Sequence, residues 1–336
     1  MDTPINQTRN RFVLAIDEAG ALGYTDHDEK EPGEFGLAGG VLYPENAERH
    51  IQAMVERAAF QARSGYKLHI TDMPVPEQER LRQFLDDLVA GESLWLFYSA
   101  VSAAGYHLEY RRRREAAAKA NAARKSKIKI SGGDRSDPDR LLEEVYRDVV
   151  FDAIAWCNDE YDGDYQLTVR SDRTEEEILS RLETSVLSLL QPEHNEITRG
   201  KGFDPATKKV IEGGRVSVEW KMPDSFGIKC TRENLKVDLT PLATEMALLP
   251  DTLVNWISHL LGALVARNPD ARLNEKAALK DFPLAGRIYR FTQKVPPHVA
   301  DTLLGRKQPL DRVNYPGRPD TGAAGAEDEA AAIEPG

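Results

Sequence analysis

Phe12-Val13-Leu14-Ala15-Ile16-Asp17-Glu18-Ala19-Gly20 is the stretch on which the fold turns. Five apolar residues run straight into two carboxylates and, two residues on, a glycine. A short continuous apolar run of this kind reads as a buried central strand, apolar on both faces. Strand residues alternate, so Asp17 and Glu18 point to opposite faces unless a bulge intervenes. A carboxylate at the edge of a hydrophobic sheet is costly to bury unless it is paired or bound to a metal. The plainer reading is that Asp17 and Glu18 begin a turn, with Gly20 and Gly23 allowing positive φ. Residues far downstream bear on that choice.

Outward from this first strand, at about 11–18, the pattern alternates between strands and helices. A polar, acidic loop at 26–34 leads to a second strand at 35–43, where Gly39-Gly40 marks a bend or a close backbone approach. Pro44-Glu45 opens a helix carrying Ile51, Met54, Val55, Ala58 and Ala59 at helical spacing. Lys67 to Asp72 interrupts the helical pattern, and a second helix carries Leu81, Phe84, Leu85 and Leu88. The run 94–101 is strand-like, and 138–158 reads as a long helix. A short strand at 165–169 ends in Arg170-Ser171-Asp172-Arg173, and Thr174 with Glu177 resembles a capping box opening a helix to Leu190.

Later elements read less clearly. The polar, glycine-bearing segment 191–214 is expected to be a surface insertion, followed by a strand at 215–220 and a short strand near 235–237. Pro250-Asp251-Thr252 is expected to open an apolar helix from Leu253 to Val265. The chain to about residue 304 reads as irregular packing with short helices, and from about Gly317 as an acidic tail without a fold. This order of elements predicts a mixed β-sheet flanked by helices, an α/β fold.

Composition narrows the class. With 336 residues, 41% hydrophobic and 29% charged, the chain can bury a sizeable core. It has no run of eighteen apolar residues, so no membrane span is expected. The first residues lack the basic start and apolar stretch of a signal peptide. The two cysteines, Cys157 and Cys230, have no metal-ligand spacing, and together these features predict a cytoplasmic protein with reduced thiols. A net charge of −11 opposes uniform attraction to nucleic acid. The charge is unevenly spread, however. From Arg111 to Lys129 stand nine basic residues (Arg111, Arg112, Arg113, Arg114, Lys119, Arg124, Lys125, Lys127, Lys129) and one acid, Glu115. That segment carries +8 and the rest of the chain −19, which together make the −11. It reads as an alanine-rich helix from about Gly105 to Lys125, its charges circling the axis.

Three carboxylates stand where strands end or helices are expected to begin: Asp17, Asp172 and Asp251. If the first and fourth strands are neighbours, Asp17 and Asp172 lie side by side. Clustered carboxylates repel one another unless a divalent cation neutralises them. Oxygen donors of this kind suit Mg²⁺ or Mn²⁺, and such a site activates water and stabilises a leaving phosphodiester oxygen. The two later acids also have plainer accounts, a turn residue or N-cap just before Thr174 for Asp172 and a helix-start acid for Asp251. Asn255 and His259 follow Asp251 at four and eight residues, a polar stripe on an apolar helix that needs partners. For His259 the plainer account is a core histidine.

Taken together, these pieces resemble a bacterial family catalogued as domain of unknown function 3800, with a ribonuclease H-like fold. The resemblance is carried by Ala15-Ile16-Asp17-Glu18-Ala19-Gly20, by Phe35-Gly36-Leu37-Ala38-Gly39-Gly40-Val41 and by Lys67-Leu68-His69. It continues through Val169-Arg170-Ser171-Asp172-Arg173 and Leu249-Pro250-Asp251-Thr252-Leu253-Val254, so that it spans about residues 11–265. The first piece is the most specific. The resemblance implies a metal-dependent nuclease site of Asp17, Asp172 and Asp251 holding Mg²⁺ or Mn²⁺, with Glu18 and His69 close by. It also implies, for some members, a role in defence against phage or mobile elements. Two departures stand out. Lys67 occupies a position where the family usually has Glu, and Ala19 one where it usually has Ser or Asn.

The expectation is therefore a ribonuclease H-like α/β domain over residues 11–312, after a short extension at 1–10. A basic helical insertion at about 105–136 and an acidic tail at 313–336 complete it. The expected function is phosphodiester hydrolysis, with His69 or His259 moving a proton or orienting a ligand. Arg111, Arg112, Arg113, Arg114, Arg124, Lys125, Lys127 and Lys129 are the expected nucleic-acid contacts, the plainer readings of the segment being a solvated helical insertion or a docking surface for an acidic protein. The competing expectation is a non-catalytic scaffold that binds nucleic acid or a protein partner, for which Lys67 and Ala19 speak.

Overall fold

The computed structural model describes residues 10–20, 29–62, 69–92, 94–123, 140–171, 180–181, 183–184, 193–204, 209–221, 234–238, 242 and 244–290. Lys67, Asp172, Arg124, Lys125, Lys127, Lys129, Cys230 and the tail at 313–336 lie outside those residues. Seven strands are described: β1 (Asn10–Gly20), β2 (Phe35–Pro44), β3 (Trp95–Ser102), β4 (Tyr165–Ser171), β5 (Glu193–Asp204), β6 (Lys209–Lys221) and β7 (Leu235–Asp238). Five α-helices accompany them: α1 (Glu48–Ala62), α2 (Val75–Glu92), α3 (Ala103–Ala123), α4 (Arg140–Tyr161) and α5 (Thr244–Arg267).

The main sheet has the order β3-β2-β1-β4-β7. β2 runs antiparallel to both β1 and β3, while β4 is parallel to β1 and β7 parallel to β4. Four strands thus point one way and β2 alone the other. The mixed α/β sheet expected from the element order is what forms, with the first and fourth strands as neighbours. β1 sits at its centre because its apolar run can be covered on both faces. Val13 and Ala15 face the layer of α1, α2 and α5; Phe12, Leu14 and Ile16 face α4. All five are 7% exposed or less, and each large side chain buried this way contributes on the order of 1.5–3 kcal/mol.

Three expectations are corrected. First, Asp17 and Glu18 do not end the strand: the β1–β2 register runs unbroken through Asp17↔Gly39 and Glu18↔Ala38 to Gly20↔Gly36. Backbone pairing to β2 carries the strand past its apolar run. Gly20 closes it at φ 82, where a Cβ would meet the Phe35 carbonyl oxygen at 2.3 Å. Second, the segment 191–214, expected as a surface insertion with the next strand starting only at 215, already forms strand before that point. It holds β5 and the first part of β6, which pair antiparallel as a separate two-stranded sheet. Its glycines and a register shift between Arg199 and Lys201 break the alternation that would have marked it. Third, Pro250 does not open the last long helix. α5 begins at Thr244 and carries Pro250 inside it. Pro250 removes one helical N–H, yet Met246 to Asn255 are all buried, and packing holds the helix through the defect.

α5 is long and apolar enough by composition to cross a membrane, but 61% of that window is buried inside the protein. It is the core helix of this fold, pressed between the sheet and the pair α1 and α2. At the other edge of the sheet, Ile288 bridges to Leu96 in parallel, and the Tyr289 N–H donates to the Leu96 carbonyl at 3.0 Å. The chain there covers the exposed edge of β3, which would otherwise offer unpaired backbone groups.

Candidate active site

Geometry at the site starts from strand alternation. Asp17 lies between Ala15 and Ala19, both packed on the α5 side, so it faces α5; Glu18 follows Ile16 onto the α4 side. Both are half-buried. Across β2, the residue opposite Asp17 is Gly39. A Cβ on Gly39 would lie 2.7 Å from Val254 Cγ2, so the bare glycine is what lets α5 settle against the sheet here. Val254 is three residues from Asp251, on the same side of the helix. Asp17 and Asp251 are thus brought to the same face of the sheet by one close contact.

Asp251 is 8% exposed and anchored. Its Oδ2 accepts the buried Ile70 N–H at 2.9 Å, and His69 Nδ1 lies 3.7 Å from the same oxygen. Ile70 begins the short 3-10 turn Ile70–Asp72 that precedes α2. The His69 side chain is 43% exposed against 12% for Asp251, so a solvent-facing imidazole sits beside a sheltered carboxylate. One turn along α5, buried Asn255 accepts a hydrogen bond at 2.9 Å from Arg82 Nη2 of α2. Arg82 Nη1 also holds Glu79 at 2.5 Å.

Not every expected residue joins this group. His259 is exposed and eight residues beyond Asp251, about 12 Å along the helix axis. Glu18 lies on the opposite face. β4 ends with Ser171 opposite Ile16, and Asp172, the next residue in sequence, lies outside the described residues. Among the described residues no group of three or more His, Cys, Asp or Glu is arranged to hold a metal ion. The basic helix does form: α3 follows β3 without a loop, Arg111 and Lys119 are exposed, and the backbone is helical at Arg112, Arg113 and Arg114. It leaves from the carboxyl end of β3. That is the edge where β1 and β4 also end, because β1, β3 and β4 point the same way.

Arg82 and the Ile70 amide escaped the sequence reading. The one signal that pointed to them was Asn255, a polar residue on an otherwise apolar helix. Comparison of the chain with family models, with curated proteins and with solved structures returns no match.

Proposed function

We propose that this chain is a divalent-metal-dependent nuclease with a ribonuclease H-like sheet, cutting phosphodiester bonds in DNA or RNA. The observation that carries the reading is the meeting of Asp17 and Asp251 on one face, across the Gly39–Val254 contact. The five-strand mixed sheet with a single reversed strand and helices on both faces supports its fold part. Ser171 pairs with Ile16, so Asp172 is next in sequence to the partner of the residue before Asp17. Carboxylates without thiolates make a hard donor set that fits Mg²⁺ or Mn²⁺, held by Asp17, Asp172 and Asp251. Such a cation, when bound, lowers the pKa of water and stabilises charge on the phosphodiester.

The chain's own residues do the rest. Ile70 fixes the Asp251 carboxylate by one oxygen. His69 sets Nδ1 toward that carboxylate and leaves its half-exposed ring able to carry a proton to or from solvent. α3 supplies the phosphate-binding arm from the same sheet edge. By the family resemblance, the proposal extends to defence against phage or mobile elements. The second reading, a scaffold that binds nucleic acid or a protein without cutting, is favoured by Lys67 and Ala19. Labelled single- and double-stranded DNA and RNA, incubated with Mg²⁺ or Mn²⁺, separate the two. Cleavage by the wild type and not by Asp17→Ala supports the nuclease. Binding without cleavage by both supports the scaffold.

A further inference from the structure

The polar contact between α2 and α5 is hard to explain by stability alone. Arg82 has a side chain only 12% exposed, and its Nε is buried without a partner among the described residues. Asn255, its acceptor, is 8% exposed in an apolar helix. An apolar pair of similar volume at such a place is often neutral or more stabilising, because a buried charge and a buried amide are both costly to desolvate. What a directional hydrogen bond adds is one fixed setting of the two helices, which an apolar contact leaves free to slide. The setting matters here because of what leads into α2. His69 and the turn Ile70–Asp72 stand just before Val75, the first residue of α2, and they carry two contacts to Asp251 Oδ2. Asn255 is one helical turn from Asp251 on α5.

We propose that Arg82 and Asn255 are positioning residues for Asp251: their hydrogen bond sets α2 on α5 and thereby holds the His69–Ile70 turn against the carboxylate. The role of Asp251 rests on the nuclease reading; the clamp itself does not. Groups that position a metal-binding carboxylate typically change metal affinity by 10- to 100-fold when removed.

The test uses the full chain and the paired variant Arg82→Met with Asn255→Leu, which replaces the polar contact by an apolar one. Hydrogen exchange of the Ile70 amide reads the clamp directly, with the Leu14 and Val41 amides as internal controls. The expected result is exchange at Ile70 at least tenfold faster, with the two strand amides unchanged, and Mn²⁺ binding at least tenfold weaker. Unchanged exchange at Ile70 overturns the proposal. So does equal acceleration at all three amides, which would mean only a general loss of stability. Should the paired variant fail to fold, Arg82→Lys decides: it keeps the charge but not the planar fork, and it must still speed exchange selectively at Ile70. A wild type that binds no Mn²⁺ sinks the nuclease reading, while the Ile70 exchange rate continues to judge the clamp.

Discussion

The Oδ2 atom of Asp251 holds the Ile70 amide at 2.9 Å, and Ile70 is fully buried, so the partner of that N–H cannot be replaced by water without rearrangement. Asp251→Ala should cost about 1–3 kcal/mol in urea unfolding, the usual penalty for an orphaned buried donor. Asp251→Asn keeps an acceptor at the same place. It should retain most of that stability while losing any Mn²⁺-induced rise in melting temperature, which calorimetry with and without the metal measures. Gly39 fails differently. Its backbone needs no special φ, but a methyl group would sit 2.7 Å from Val254 Cγ2. Gly39→Ala should therefore push α5 off the sheet, with about 1–3 kcal/mol lost to overpacking and weaker Mn²⁺ binding as Asp17 and Asp251 separate. If Gly39→Ala leaves both properties unchanged, the contact does not set the distance between the two carboxylates.

At the scale of elements, the outer edge of β3 is tied down by a buried polar network. Arg290, 3% exposed, donates to the Tyr98 carbonyl and to Asn274 Oδ1, stacks over the Tyr98 ring at 5.0 Å and lies 3.9 Å from Asp152 of α4. The Tyr98 hydroxyl donates to the Leu273 carbonyl at 3.0 Å. Burial pushes the Tyr98 hydroxyl up to about 12 from an ordinary value of 10.0, with Asp152 adding to the rise and Arg290 opposing it. The unfolded chain then releases this proton at lower pH than the folded one. The stabilising effect is whole below pH 10 and is lost as pH rises through about 12. Urea midpoints should fall across that window, and Tyr98→Phe should flatten the fall while lowering stability near neutral pH by about 1 kcal/mol. None of this network was legible in the sequence, since its members are brought together only by the folded chain. Strands and helices with one clean period were legible, among them β1, β2, β3 and α4. β5 was not, because its glycines hide the alternation, and the start of α5 was not, because Pro250 imitates a helix beginning that packing overrides. The site divides the same way. Asp17 and Asp251 could both be named as candidates from the sequence, but the anchoring of Asp251 could not, because it comes from a backbone amide 181 residues away, for which no side-chain pattern exists.

For the whole molecule, the uneven charge is the property with the widest consequence. The −19 carried outside residues 111–129 repels a polyanion, so the +8 segment is the place that most favours nucleic-acid binding. α3 places the first part of that segment on a helix of 21 residues, about 30 Å long, leaving from the carboxyl edge of the sheet. Phosphate contacts release counterions, so each one lost should lower the slope of log affinity against log salt by about 0.9 on duplex DNA. Replacing Arg111, Arg112, Arg113 and Arg114 together by alanine should therefore reduce the slope by up to about 3.6. Alanine is also the strongest helix former, so α3 itself should persist, which far-ultraviolet circular dichroism checks. A repulsive remainder has a second effect: as salt rises, the repulsion is screened along with the attraction, and the wild-type slope should be shallower than the nine bases alone imply. Fluorescence anisotropy of a labelled 30-mer from low to moderate salt measures both slopes. An unchanged slope in the alanine variant would remove α3 as the phosphate-binding arm and point instead to the β5–β6 pair, which forms a separate two-stranded sheet and carries basic residues from Arg199 to Lys221.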